Sequence, residues 1–368
     1  MKPFDYADAK IGTREMAIMI SSIVFGVGVL TMPRSLALVT NSSDGWVSIL
    51  IAGGAAILFA WIASKLVSRF PGRSFYDFTS SIVSKPVAKA CTFVFFLYFI
   101  GYGAYETRMI ASISKQYLFE RTPVEVIAFV FLAVVAYSLS GTQIALIRLN
   151  VLFLPIVLFL ILFVLVFSTD LFDFNNVMPI FVTNPLVLIG ASQESAFSFL
   201  GFEMLLFYGG LMRKPSKAPL ASVIGVSIPL ILYLLVYVIA IGVFTNEGTA
   251  NILYPTVELA KEIELPGEFF ERFESLFFTI WIMTVFNTTS MSLDVALVCM
   301  RSVFASVKKP IAISGVIPVI FILSMVPQDI GEAGTFGRWL NYTGIVLIGI
   351  VPLSLLVIAK ARGVKGNG

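Results

Sequence analysis

The sequence predicts an all-α membrane protein of ten transmembrane helices. Three observations carry this reading. Of 368 residues, 58% are hydrophobic and only 13% are charged, against about 25% charged in soluble domains. The apolar residues gather into ten blocks of bilayer-spanning length, and the basic residues between the blocks are one-sided. Mean hydropathy is +0.94. These values exclude a soluble globular domain, a disordered chain and a disulfide-stapled secreted module.

Crossing the hydrocarbon core takes about 20 apolar residues per helix. The ten spans cover about 14–37, 46–66, 89–114, 123–141, 147–168, 186–210, 219–245, 273–300, 310–327 and 337–359. They form a single transmembrane domain over 1–368. Span 1 follows a polar stretch, Met1 to Arg14, and is too long for a signal-peptide core, so it is read as a retained helix. An even span number puts both termini on one side. Of the 25 Lys and Arg, six (Arg34, Lys115, Arg121, Lys261, Arg272, Arg338) lie opposite the termini, Arg108 lies within a span, and the other 18 lie on the terminal side. That excess places both termini in the cytoplasm. Most loop acids, including Asp170, Asp173, Glu247, Glu258, Glu262, Glu264, Glu268 and Glu271, fall outside. The outer 5/6 and 7/8 loops are long enough for in-plane amphipathic helices.

The chain has no histidine. Ser-His-Asp and Cys-His catalysis and histidine metal sites are therefore excluded, and no cofactor or metal is expected. Cys91 and Cys299 lie in apolar blocks and read as small hydrophobes. The net charge of +3 is scattered through short loops and gives no nucleic-acid footprint.

Irregular backbone at membrane depth survives only where protein or a water-lined cavity satisfies it. Span 1 contains Gly26-Val27-Gly28-Val29-Leu30-Thr31-Met32-Pro33, a pattern that predicts a helix break. The bare amides opening the outer half-helix would suit an anionic group such as an amino-acid carboxylate. Span 6 carries small and polar residues from Ser192 to Glu203. Spans 1 and 6 open two five-helix halves, about 14–168 and 186–359. Five is odd, so the halves are inverted, and matched interruptions point to a midplane binding site. Close helix packing is the competing reading of Gly-x-Gly; Pro33 and the matching span 6 favour the break.

Glu106, Arg108, Glu194, Glu203 and Asp294 lie within spans. Such residues are costly in lipid and are expected to face the bundle interior or an interface. Arg108 either does so or snorkels outward. Glu106 follows the small and aromatic run Gly101–Tyr105. Glu203 and Asp294 have similar depth and are expected to line an inner vestibule or ion path. In span 8, Asn287, Thr288, Thr289, Ser290 and Ser292 either bond their own backbone or set Thr288 opposite the span 1 break, where hydroxyls and freed carbonyls hold a ligand group or small cation. Span 5 has no lysine, so any proton route relies on carboxylates and water.

Gly26-Val27-Gly28-Val29-Leu30-Thr31-Met32-Pro33-Arg34 resembles the first-helix motif of the amino acid–polyamine–organocation transporters. Four further stretches, Tyr105–Arg108, Glu120–Pro123, Phe199–Glu203 and Glu271–Ser275, make the chain resemble the B subunit of bacterial spore germinant receptors, the spore permease family, over nearly its whole length. The resemblance implies a LeuT-like 5+5 inverted-repeat fold with broken helices 1 and 6. It implies detection of a small nutrient, commonly an amino acid, in the inner membrane of a dormant spore. The implied partners are a membrane-bound A subunit and a lipoprotein C subunit, with ion release and germination following binding. Carried over by motif, the ligand pocket comprises Gly26, Gly28, Thr31, Tyr102, Glu106, Leu200, Gly201 and Thr288. Tyr102 is bulky for a pocket position, which implies a ligand preference unlike that of relatives. The competing functions are an autonomous proton- or cation-coupled amino-acid permease and a structural subunit with a vestigial cavity. A membrane enzyme has the least support, because no nucleophile–base or metal constellation is present.

Overall fold

The computed structural model describes residues 10–263, 273–304 and 306–366. Glu264, Glu268, Glu271 and Arg272, and so the start of the Glu271–Ser275 stretch, lie outside the described residues. Helix occupies each of the ten apolar blocks. Span 1 is two helices, α1 (Thr13–Val24) and α2 (Gly28–Thr40). Span 2 is α3 (Gly45–Ser68), and α4 (Phe75–Ile82) follows in the next loop. Ser74 starts α4 by accepting from the Asp77 amide, which satisfies one orphan donor of the first turn. Span 3 is the long α5 (Lys85–Tyr117), with Pro86 in its first turn, where no amide is needed. Spans 4 and 5 are α6 (Val124–Leu139) and α7 (Gln143–Phe167), the latter capped by Thr142.

Span 6 divides into α8 (Pro185–Ser198) and the single turn α9 (Leu205–Tyr208), joined through a 3-10 turn at Phe202–Met204. Span 7 is α10 (Ala218–Asn251), whose regular part ends at Thr245 with φ 64° and ψ 171°. Then come α11 (Pro255–Lys261), α12 (Phe273–Val303), α13 (Lys309–Ser324) and α14 (Ile330–Ala361). Among the described residues, six helices (α3, α5, α7, α10, α12, α14) are long and apolar enough to cross a membrane, and the α1–α2 pair, bent by 52°, makes a seventh candidate. α6, α13 and Phe202–Leu211 are shorter apolar helices. The chain is an all-helical, multi-span membrane protein.

The helices sort by depth in the bundle. α12 is 78% buried over its apolar window, against 39–50% for the other five long helices. It packs along α5, while α10 packs on α3 and α1. Phe129 and Tyr137 on α6, Phe159 on α7 and Trp339 on α14 are exposed. An outward apolar surface of this kind suits lipid, where it carries none of the cost it has in water.

The 5/6 loop, and the described part of the 7/8 loop up to Ile263, differ from the in-plane helices expected of them. The 5/6 loop holds only 3-10 turns at Ser168–Leu171 and Phe174–Asn176. In the 7/8 loop, α11 is a seven-residue helix with Pro255, Thr256, Val257, Leu259 and Ala260 buried, so it packs into the protein. The end of the first loop is held by Asp44. Its buried carboxylate accepts from the amides of Phe181 (2.6 Å), Val182 (2.8 Å) and Thr183 (2.8 Å). Three successive amides are thereby satisfied by a residue far away in the chain.

Burial pushes the Asp44 carboxyl up, but the Thr183, Phe181 and Val182 amides together outweigh it and hold the group below the ordinary aspartate value. A lowered folded value means the stabilisation is complete above the unfolded value of about 3.9 and fades as pH falls through the folded one. Asp44→Ala should therefore cost about 2–3 kcal/mol at neutral pH. The gap in melting temperature from the unaltered chain should narrow only below about pH 4, as read by thermal unfolding across a pH series.

Candidate functional site

The site forms where span 1 and span 6 both lose their helix. α1 ends at Val24, and Phe25 and Gly26 precede α2, whose first residue is Gly28. α8 ends at Ser198, and the chain turns through Gly201 at φ 116°, a region open to glycine and strained for other residues. The two breaks touch. A Cβ on Gly201 would lie 2.5 Å from Ile23 Cγ2, and one on Gly28 would lie 2.7 Å from Ser198 Cβ. Gly28 is needed because a Cβ there would meet the Ser198 backbone, with Cα at 2.8 Å, and Gly201 because of its positive φ and the Ile23 side chain against it.

A broken helix leaves carbonyls and amides that must find partners. The freed Val24 carbonyl accepts from the Tyr233 hydroxyl of α10 at 2.6 Å, and the same hydroxyl lies 3.2 Å from the Ser198 carbonyl at the other break. The Ile23 carbonyl lies 3.4 Å from the Thr288 hydroxyl of α12, which also donates to its own Thr284 carbonyl at 3.2 Å. Thr288 thus bonds its own backbone and also lies against the span 1 break. On the amide side, the Glu106 carboxyl of α5 faces the Val27 amide and the Tyr102 hydroxyl. A Cβ on Gly26 would stand 3.0 Å from Glu106 Oε1. In span 6, Glu203 Oε2 accepts from the Gly201 amide at 2.7 Å and Glu203 Oε1 from the Tyr98 hydroxyl at 3.1 Å. Each break therefore carries one acid of the chain itself.

Gly26, Tyr102 and Glu106 thus meet in one cluster, and Gly201 and Thr288 converge on Ile23. Thr31 lies above, in a cavity of about 550 Å³ that it shares with Arg34, Tyr105, Glu194, Phe197, Ser198, Tyr254, Arg338 and Asn341. This volume lies within the range of small-molecule sites. Its rim residues Glu194 and Arg338 are exposed, so the cavity reaches the surface. Tyr105 and Phe197 pack edge to face at 5.1 Å in its wall. Leu200 lines a separate cavity of about 180 Å³ with Phe59 and Phe199.

Glu203 and Asp294 belong to different networks. Asp294 Oδ2 accepts from Gln143 Nε2 at 2.9 Å and from the Tyr208 hydroxyl at 3.0 Å, and Lys309 Nζ stands 3.8 Å from Oδ1. Asp294 thus ties the starts of α7 and α13 to α9 and α12. Arg108 is buried and donates to the Gln328 carbonyl at 2.9 Å. Among the described residues, no cluster of three or more His, Cys, Asp or Glu is placed to hold a metal ion. Sequence reasoning does not single out Tyr233 or Tyr98. The available signal is general: a tyrosine in mid-span must find a partner for its hydroxyl.

Two half-helix pairs meeting at a polar centre inside an apolar bundle define a LeuT-like transporter fold. The chain superposes with a TM-score of 0.69 on Mhp1, a nucleobase-cation-symport-1 family transporter in a closed conformation with bromovinylhydantoin bound (15% identity; 98% of this chain, 81% of that one). With MhsT in complex with L-phenylalanine the TM-score is 0.68 (13% identity; 96% and 98% covered). Residues 10–333 match the Spore_permease family, described as spore germination protein, and the chain belongs to that family. It is 40% identical to spore germination protein GerLB of Bacillus cereus over 100% of this chain and 99% of that protein. It is 32% identical to spore germination protein YndE of Bacillus subtilis (strain 168), covering 96% and 97%.

Gly201→Ala tests the contact between the breaks. Left-handed strain of about 1–2 kcal/mol adds to overpacking of about 1–3 kcal/mol against Ile23. Thermal unfolding of purified protein should show a drop of several degrees, with Ile23→Ala recovering only the overpacking part. Gly54→Ala, which meets nothing within 4 Å, should cause no drop.

Proposed function

We propose that this chain is the nutrient-sensing membrane subunit of a spore germination receptor. It binds a small nutrient, an amino acid by class, at the midplane between spans 1, 3, 6 and 8, and it catalyses no reaction. The observation that carries the reading is the meeting of the two breaks, Ile23 against Gly201 and Gly28 against Ser198, beside a cavity open to the surface. Gly26, Gly28, Thr31, Tyr102, Glu106, Gly201 and Thr288 form the pocket in this proposal, while Leu200 faces the smaller neighbouring cavity. MhsT, similar in fold, is described with L-phenylalanine, which supports the ligand class.

In the same proposal all ten helical blocks cross the bilayer as two inverted five-helix repeats, about 14–168 and 186–359, with both termini cytoplasmic. The matched interruptions in spans 1 and 6 and the one-sided bases support this arrangement. The chain sits in the inner membrane of the spore beside a membrane-bound A subunit and a lipoprotein C subunit. Ligand binding favours one of two conformations, and the partners respond to that shift. Glu203 caps its own break and Asp294 ties four helices, so the ion-path role splits: Glu203 lies beside the site, and Asp294 holds the cytoplasmic end closed.

Thr288→Val in spores should raise the amino-acid concentration that triggers germination about tenfold, the value of one hydrogen bond. Germination at an unchanged concentration would remove Thr288 from the site. The transporter fold makes an autonomous amino-acid permease the second reading. Concentrative uptake of radiolabelled amino acid by liposomes holding this chain alone would favour the permease, and its absence the sensor.

A further inference from the structure

We infer that the central site holds its ligand by a primary ammonium on Glu106, and not by a carboxylate on the amides of span 1. This rests on the midplane site proposed above and names which end of the ligand that site recognises.

The amide end of α2 already has an acid of the chain. Glu106 faces the Val27 amide, and its Oε1 lies 3.0 Å from where a Gly26 side chain would begin. A ligand carboxylate brought to the same amides would have to share them with that carboxyl, two acceptors competing for the same donors. The second break offers no relief, since Glu203 occupies its Gly201 amide. Tyr102 stands within electrostatic reach of both acids.

The polarity is not offset by a neighbouring base. Among the described residues the ion pairs are Lys261–Glu258 and Lys309–Asp294, and Glu106 is in neither. Arg108, two residues along α5, gives its Nη2 to Gln328. Meanwhile Glu106 is 2% exposed and its Oε2 has no partner. A buried carboxylate oxygen without a donor is costly. An ammonium brings three donors and the opposite charge. The Tyr102 ring, one turn away on α5, adds a face suited to a cation and to attached carbon. A metal ion such as calcium would instead need a shell of six or more oxygens.

The neighbouring cavity agrees. Its lining carries Arg34 and Arg338 against one acid, Glu194. Arg34 lies six residues beyond Gly28, about 9 Å along α2. A positive entrance beside a negative site admits a doubly charged ligand with its ammonium leading. Tyr254 and Asn341 also line this cavity, and Tyr254 Oη and Asn341 Oδ1 are buried without partners.

The test is thermal unfolding of the full-length chain in nanodiscs with n-butylammonium chloride, sodium butyrate or sodium chloride at matched concentration. Butylammonium should raise the melting temperature by about 2 °C or more, and butyrate and sodium chloride should not. Glu106→Gln should abolish the rise, Glu106→Asp should keep part of it, and Glu247→Gln, an exposed loop acid, should leave it whole. Should Glu106→Gln not accumulate, the comparison of probes on the unaltered chain decides alone. Stabilisation by butyrate, an equal rise with sodium chloride, or no rise with butylammonium overturns the inference. A mixture of standard amino acids runs alongside. If it stabilises the chain where butylammonium does not, the polarity is wrong and the sensor stands. If nothing stabilises the chain, the midplane site fails as well.

Discussion

A peptide group inside a membrane must be hydrogen-bonded, and that constraint organises this protein. Helix satisfies it over most of the chain. Where spans 1 and 6 stop being helical, side chains from other helices supply the missing partners. Tyr233 serves a carbonyl at each break, Thr288 serves a third, and Glu106 and Glu203 serve the amides. Each of these contacts crosses from one helix to another or closes a turn, so the breaks are also where the bundle is joined. Moving one half-helix would require several of these partners to be exchanged together, which is how a small ligand can bias a whole-bundle conformation.

The two ends of the molecule are secured by different chemistry. Outside, Asp44 holds the loop over α3 through three amides. At the start of α7 and α13, Asp294 gathers Gln143, Tyr208 and Lys309. Between them lie the two helix breaks, each with its own acid, and a cavity lined by Thr31, Tyr105 and Ser198 that reaches the surface. The same fold can serve to move a ligand or only to report it.

The helices were legible because lipid demands long apolar runs, and few charges interrupt the runs. The breaks were legible because Gly26, Gly28 and Pro33 in span 1 and the small, polar residues of span 6 defy that demand. Pairings between distant segments were not. Depth along a span suggested a shared role for Glu203 and Asp294, but depth ignores the direction around the helix, and the two acids find different partners. In the 5/6 loop the expected in-plane helix is replaced by 3-10 turns and by a segment whose Phe181, Val182 and Thr183 amides are held by Asp44, from the loop between α2 and α3. Tyr233 and Tyr98 resemble several other mid-span tyrosines until the fold shows which hydroxyl meets a bare carbonyl or a carboxylate.

The most direct measurement is the distance between the Glu106 carboxyl carbon and the Val27 amide nitrogen, by solid-state NMR on selectively labelled protein in bilayers. The account requires a dipolar contact of about 4 Å or less, with non-helical chemical shifts at Phe25 and Gly26. Helical shifts running unbroken from Ser21 to Leu30, with no coupling between the two labels, would contradict it.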